Sequence, residues 1–327
     1  MSTSSEAQAT ASAPSWIRAI APHALICIVL YALTISVHFR AEYILLALFW
    51  TALTFAGPRS RRFLNIALPF LMVGILYDQI LPHLFQFRPE PHVADLYHLE
   101  KAWFGIHTAQ GLVIPSEWFE QHTSPWLDLP TGFGYMAYMF ESFLVAAWMF
   151  FYDEERTARL GWAFLIVNIL GFSSWIFFPA APPWYVAQYG LGPAHMDAIP
   201  SAAGAARFDA FFGINYFSGF YQRSHNVYGA MPSLHVAYPL VVLLAVLGMK
   251  QRWIKIVAFL FFVLIAFAAV YLAHHYIIDA IAGIAVAVIA WGLMLWLRGA
   301  YLRRRGVVVE EAAPAVVPQV ARLTDHS

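Results

Sequence analysis

The chain has 327 residues, 61% hydrophobic and 12% charged, with a mean hydropathy of +0.62. Soluble domains are about half apolar and about a quarter charged, so one core cannot enclose this excess and lipid must cover it. The net charge of +0 and the single cysteine, Cys27, exclude a global basic field for nucleic acid, an internal disulfide framework and a cysteine metal site.

In chain order, residues 1–14 are polar and Ser/Ala-rich, and 1–17 is predicted as a disordered cytoplasmic tail; it lacks the basic start and short apolar core of a signal peptide. A spanning helix needs about 20 apolar residues. Runs that approach this length are 20–38, 43–56, 63–80, 133–151, 160–178, 231–248, 253–273 and 277–297, the second being short. The fold class predicted is therefore an all-α membrane protein of about eight transmembrane helices. Its membrane domain spans 18–300, with a core at 131–298 that holds the motifs described below and a polar cytoplasmic tail at 301–327.

Basic residues fix the orientation. Arg59, Arg61 and Arg62 follow the second run, Lys250, Arg252 and Lys255 the sixth, and Arg298, Arg303, Arg304 and Arg305 the last. Eight spans and a cytoplasmic N-terminus put all three groups inside, as the positive-inside rule requires. The same count puts 84–130, 179–230 and a turn at His274-His275 outside. Residues 85–130 mix charged and aromatic side chains (Glu100, Lys101 and Trp103 among them), which suits helices in the headgroup plane or a capping loop. Glu141 and Asn168 fall inside spans; a carboxylate there is costly, so Glu141 is either functional or paired with Asn168 to fix packing. Ala181-Pro-Pro-Trp-Tyr185 breaks the chain at the outer end of the fifth span.

Two motifs carry the chemistry. In Gly229-Ala-Met-Pro-Ser-Leu-His-Val-Ala237, Pro232 suits a helix's first turn, placing Ser233 and His235 at a helix start that favours an anion such as phosphate. In His274-His275-Tyr-Ile-Ile-Asp279, helical spacing puts His275 and Asp279 on one face, where the carboxylate orients one ring nitrogen and frees the other as nucleophile or base. His274 is the alternative to His275, although its spacing to Asp279 is i to i+5. The sixth and seventh spans form an antiparallel pair, which brings His235 and His275 to one membrane surface. Two such histidines suit a two-step phosphoryl transfer. A zinc site built from His235, His275 and Asp279 is the competing reading.

Met-Pro-Ser-Leu-His at 231–235 and His-His-Tyr-Ile-Ile-Asp at 274–279 resemble the second and third signatures of the type-2 phosphatidic acid phosphatase superfamily. With Leu99–Ile106, Ala181–Tyr185, Tyr189-Gly190, Gly204–Asp209 and Phe212-Gly213, the ordered set over 95–285 resembles the inositol phosphorylceramide synthase catalytic subunit family. The resemblance implies His275 as nucleophile, Asp279 as its partner and His235 as acid and base. It implies transfer of phosphoinositol from phosphatidylinositol to a ceramide-like acceptor, releasing diacylglycerol; no metal and no cofactor are expected. The partners implied are a phospholipid donor and a lipid acceptor; the charge balance predicts no nucleic acid, and a regulatory subunit is left open. The site would face the periplasm of a bacterial inner membrane or, alternatively, a Golgi lumen. A lipid phosphate phosphatase is the alternative function, and a non-enzymatic lipid transporter a lesser one.

Two departures matter. The superfamily's Lys-x6-Arg-Pro signature has Leu81 in place of its lysine, which discounts Arg88-Pro89, and the arginine six residues before the last catalytic histidine is replaced by Ala269. Arg207 and Arg223 are therefore the candidate phosphate cations, and Ser233, Trp184 and Tyr185 the other candidate substrate contacts.

Overall fold

The computed structural model describes residues 15–36, 41–224 and 226–305. The tails expected at 1–17 and 301–327 lie outside these residues except where they extend the first and last helices.

Helices α1 (Ser15–Ser36) and α2 (Ala41–Ala56) pack side by side. Helix α3 (Pro58–Ile75) opens on Pro58, whose fixed φ suits a first turn. It continues through a π turn (Leu76–Ile80), α4 (Leu81–Leu84) and a 3-10 turn to Phe87. There follow α5 (Ala94–Phe104), a hairpin of β1 (Ile106–Thr108) and β2 (Gly111–Val113), and α6 (Pro115–Gln121). The hairpin pairs His107 with Leu112 and is a departure from an all-helical chain. Helices α7 (Pro125–Phe150) and α8 (Glu154–Phe177) are long; α9 (Pro183–Tyr189), α10 (Ala206–Phe212) and α11 (Tyr216–Tyr221) are short. Helices α12 (Leu234–Val246), α13 (Arg252–Tyr271) and α14 (Ile277–Arg304) close the chain.

Among the described residues, a helix underlies each of the eight apolar runs. Among the described residues, Pro58–Phe87, Glu154–Phe177, Arg252–Tyr271 and Ile277–Arg304 are long and apolar enough to cross a membrane. Helix α7 is bent by 60° between Pro125–Tyr138 and Phe140–Phe150, and counts as a fifth if its two parts form one span. Ala19–Thr34, Glu42–Ala56 and Leu234–Val246 are apolar but shorter. At 13 residues, α12 is about 20 Å long against a hydrocarbon core of about 30 Å, so length alone does not establish eight crossings.

The largest buried cluster lies where α8, α12 and α14 meet, with α3, α7 and α13 around them. Lipid tails are as apolar as leucine, so close packing rather than water expulsion holds such helices together, and small residues at the contact allow it. Gly283 of α14 touches the first turn of α12: a Cβ there would lie 2.3 Å from the Ser233 carbonyl oxygen.

The bundle has two unlike ends. The histidines of both motifs meet at one. At the other, Arg62 lies 3.8 Å from Glu154, Glu155 pairs with both Arg159 and Arg298, and Arg156 Nη1 donates to the Ala245 carbonyl at 3.4 Å. The basic segments around 62, 250 and 298 thus gather away from the histidines.

Candidate active site

Ser233 is the N-cap of α12, and its Oγ accepts from the Val236 amide at 3.4 Å. Pro232 therefore precedes the helix rather than lying in its first turn. Ser233 is fully buried and its amide donates to the Asp279 carbonyl at 3.0 Å, so it joins α12 to α14 and does not face an open site. His235 is the second residue of α12. Pro239, four residues on, has no N–H, which leaves the His235 carbonyl without its usual helical donor.

The second motif is not helical where the first histidine stands. Helix α14 starts at Ile277 with Tyr276 as N-cap, and His275 precedes both. Asp279, at the third helical position, accepts the Tyr276 amide on Oδ2 at 2.9 Å, as an acidic residue in that position commonly does. It lies 3.6 Å from His275 Nδ1, too far for a hydrogen bond. The expected helical i,i+4 pair is therefore replaced by a capped turn. The main acceptor for His275 is instead the Ala230 carbonyl, 2.9 Å from Nδ1. A carbonyl only accepts, so this contact puts the His275 proton on Nδ1 and leaves Nε2 with a lone pair. Nε2 lies 2.7 Å from His235 Nδ1. The His235 ring thus donates from Nδ1, and its Nε2 is buried without a partner among the described residues.

Long-range contacts set this geometry. His92, Ala180 and Gly229 line up as parallel bridges, and the Ala230 amide donates to the Ala180 carbonyl at 3.1 Å, which aims the Ala230 carbonyl at His275. Glu100 of α5 is 1% exposed and caps α14 from outside, accepting the Ile277 amide at 2.9 Å and the Ile278 amide at 3.2 Å. Burial and the nearby Asp279 raise its pKa, while the two amides oppose the rise. Sequence patterning missed this role, since the cap lies 177 residues from its helix.

The two adjacent histidines are separated by their surroundings. His274 is stacked between Tyr135 and Tyr221, with ring centroids at 5.3 and 4.6 Å, and its Nε2 donates to the Ala202 carbonyl at 3.1 Å. Burial, then the neighbouring His275, lowers its pKa to about 3. It is a neutral ring that holds the turn, whereas His275 meets His235.

Among the candidate cations, Arg207 Nε donates to Asp128 at 2.7 Å and its guanidinium lies 5.1 Å over the Tyr271 ring, while Nη2 is buried without a partner among the described residues. Arg223 has an exposed side chain. Arg88, discounted from the sequence, donates to Asn226 at 2.8 Å, three residues before Gly229, and burial lowers its pKa to about 10. The available signal was its Arg-Pro pair. Trp184 lines a cleft of about 290 Å³ with Ser201, Gly204 and Ala273. Tyr185 is fully buried, and its hydroxyl accepts the His195 amide at 2.8 Å, a core role. Asn168 is bonded to Phe164 and Tyr238, so it does not pair with Glu141.

A family model described as PAP2 superfamily matches residues 94–293. The phosphoinositol dihydroceramide synthase of Bacteroides thetaiotaomicron is 38% identical over 258 residues, covering 77% of this chain and 83% of that protein. The inositol phosphorylceramide synthase catalytic subunits of Schizosaccharomyces pombe and Saccharomyces cerevisiae are 27% and 30% identical, over 73% and 70% of this chain. This chain spans 56% of the length of each of these two fungal relatives.

Proposed function

This chain belongs to the PAP2 superfamily, and from that premise we propose that it is a lipid phosphotransferase moving phosphoinositol from phosphatidylinositol to a hydroxyl of a ceramide-like lipid. The observation that carries this reading is the 2.7 Å approach of His235 Nδ1 to His275 Nε2, with the other His275 nitrogen already held by the Ala230 carbonyl. His275 Nε2 attacks phosphorus, the bond to the diacylglycerol oxygen breaks, and protonated His235 gives that oxygen its proton. The acceptor hydroxyl then passes its proton to His235 as its oxygen takes the phosphoryl group from Nε2. Diacylglycerol leaves, and both imidazoles return to their starting protonation. A gap of 2.7 Å has no room for a phosphoryl group, so donor binding parts the two rings.

Asp279 supports the imidazolium character of His275 through space and fixes the turn through Tyr276. Arg88 and Arg207 supply the positive charge that a phosphodiester needs beside two buried carboxylates. The eight apolar helices cross the bilayer, with the arginine end cytoplasmic and the histidine end on the opposite side, periplasmic in a bacterial inner membrane. The gathering of the basic segments at one end supports this orientation.

The test is purified protein given radiolabelled phosphatidylinositol with and without ceramide. A labelled lipid that forms only with ceramide is expected. Free inositol phosphate in place of that lipid, or hydrolysis of phosphatidate, would make the chain a phosphatase.

A further inference from the structure

A cavity of about 120 Å³ lies between α7 and α11, lined among others by Tyr135, Tyr138, Phe140, Tyr216, Phe220 and Tyr221. Its rim is apolar and outward-facing: Phe140 is 54% exposed and Phe220 44%. Its depth is not, for Tyr135 is 2% exposed and its hydroxyl has no hydrogen-bond partner among the described residues. An unmet hydroxyl in an apolar interior is unfavourable, and a bound polar group would relieve it. The same two tyrosines form one wall of the site. The His235 ring stacks on Tyr135 at 4.6 Å and 7°, and lies 4.5 Å from the ring of Tyr138. The cavity therefore shares Tyr135 and Tyr138 with the imidazole whose Nε2 is also unpartnered among the described residues.

No charged side chain lines this cavity. An anionic phosphoinositol headgroup would enter it without a counter-charge, which is strongly unfavourable in an apolar surround. A neutral lipid head with hydroxyl and amide groups meets phenol hydroxyls it can bond and aromatic edges its chains can follow. We propose that this cleft is the acceptor subsite, admitting the neutral hydroxyl-bearing head of the acceptor lipid from the bilayer past Phe140 and Phe220 to His235. The assignment rests on the transferase reading and adds that donor and acceptor reach the histidines by different routes. Tyr135 binds the acceptor head, and His235 Nε2 takes the proton from the attacking hydroxyl.

Two measurements test it. In mixed micelles, Tyr135→Phe and Phe220→Trp should each raise the apparent KM for ceramide about tenfold or more, with the KM for phosphatidylinositol within about twofold of wild type. Equal shifts for both substrates, a shift for the donor alone, or no shift would overturn the subsite. The second measurement needs no turnover. A ceramide carrying a photoreactive diazirine beside its head is crosslinked to the His275→Ala protein, and the labelled peptides are mapped. Label on residues 135–140 or 216–221, competed by unlabelled ceramide and not by phosphatidylinositol, supports the subsite. Label elsewhere, or equal competition by both lipids, sinks it. Specific label with no transferase activity in the wild type would instead reject the transferase reading while keeping the pocket.

Discussion

The two ends of the bundle use charge in opposite ways. At the histidine end, Asp279 and Glu100 are 0% and 1% exposed, and both accept main-chain amides at the start of α14. At the arginine end, the Glu155 side chain is 57% exposed and pairs with Arg159 and Arg298, which are themselves partly open. Buried carboxylates held by the backbone define positions, because losing either partner strands a polar group away from water. Exposed ion pairs contribute little to stability, because water and salt screen them and ordering two long side chains costs entropy. Carboxylates stand at both ends; burial makes those at the histidine end positional, whereas those at the arginine end stay in partly open ion pairs.

That contrast can be broken most sharply at the histidines. His275→Ala should lose about 10⁴-fold or more in turnover, and His235→Ala about 10²–10⁴-fold, while both proteins still insert. Retained activity in purified His275→Ala protein would reject the nucleophile assignment. Next in size is Glu100→Ala, expected to cost about 2–4 kcal/mol because two buried amides of α14 lose their acceptor. A lower thermal midpoint in detergent checks it; an unchanged midpoint would mean the cap is dispensable.

A smaller effect follows from His274. Its proton binds near pH 6.5 in the unfolded chain but only near pH 3 when buried, so the unfolded state holds more protons between those values. Stability from this group is therefore present above about pH 6.5 and falls as pH drops toward 3. The fall in thermal midpoint between pH 7.5 and 5 should be shallower in His274→Gln than in wild type; parallel slopes would place the titration elsewhere. The smallest effect belongs to the arginine end, where Glu155→Gln should change stability by about 0.5 kcal/mol or less. A loss comparable to that of Glu100→Ala would erase the distinction between the ends.

Much of the candidate site was legible along the chain. The convergence of His235 and His275 followed from two apolar runs joined by a short basic turn. The partner of His275 was not legible, because Ala230 acts through a carbonyl that every residue possesses. The His275–Asp279 spacing suggested a helical pair, yet the chain turns at Ala273, which takes a positive φ, and the helix begins two residues after His275. Glu100 gave no signal, since a cap supplied by a distant helix leaves no local pattern. Tyr185 looked like a pocket residue because aromatic residues near a membrane surface line pockets and cores alike.

By itself, the sequence determined that lipid surrounds this chain, where its apolar helices lie, which segments are basic and which two imidazoles share a surface. These are consequences of hydropathy, charge and short-range spacing, all properties of neighbouring residues. Tertiary structure alone decided which nitrogen of His275 carries its proton, which adjacent histidine faces His235, and that an uncharged cleft shares two tyrosines with it. Those outcomes depend on hydrogen bonds and ring contacts between residues 40 to 177 positions apart, whose geometry no local pattern encodes.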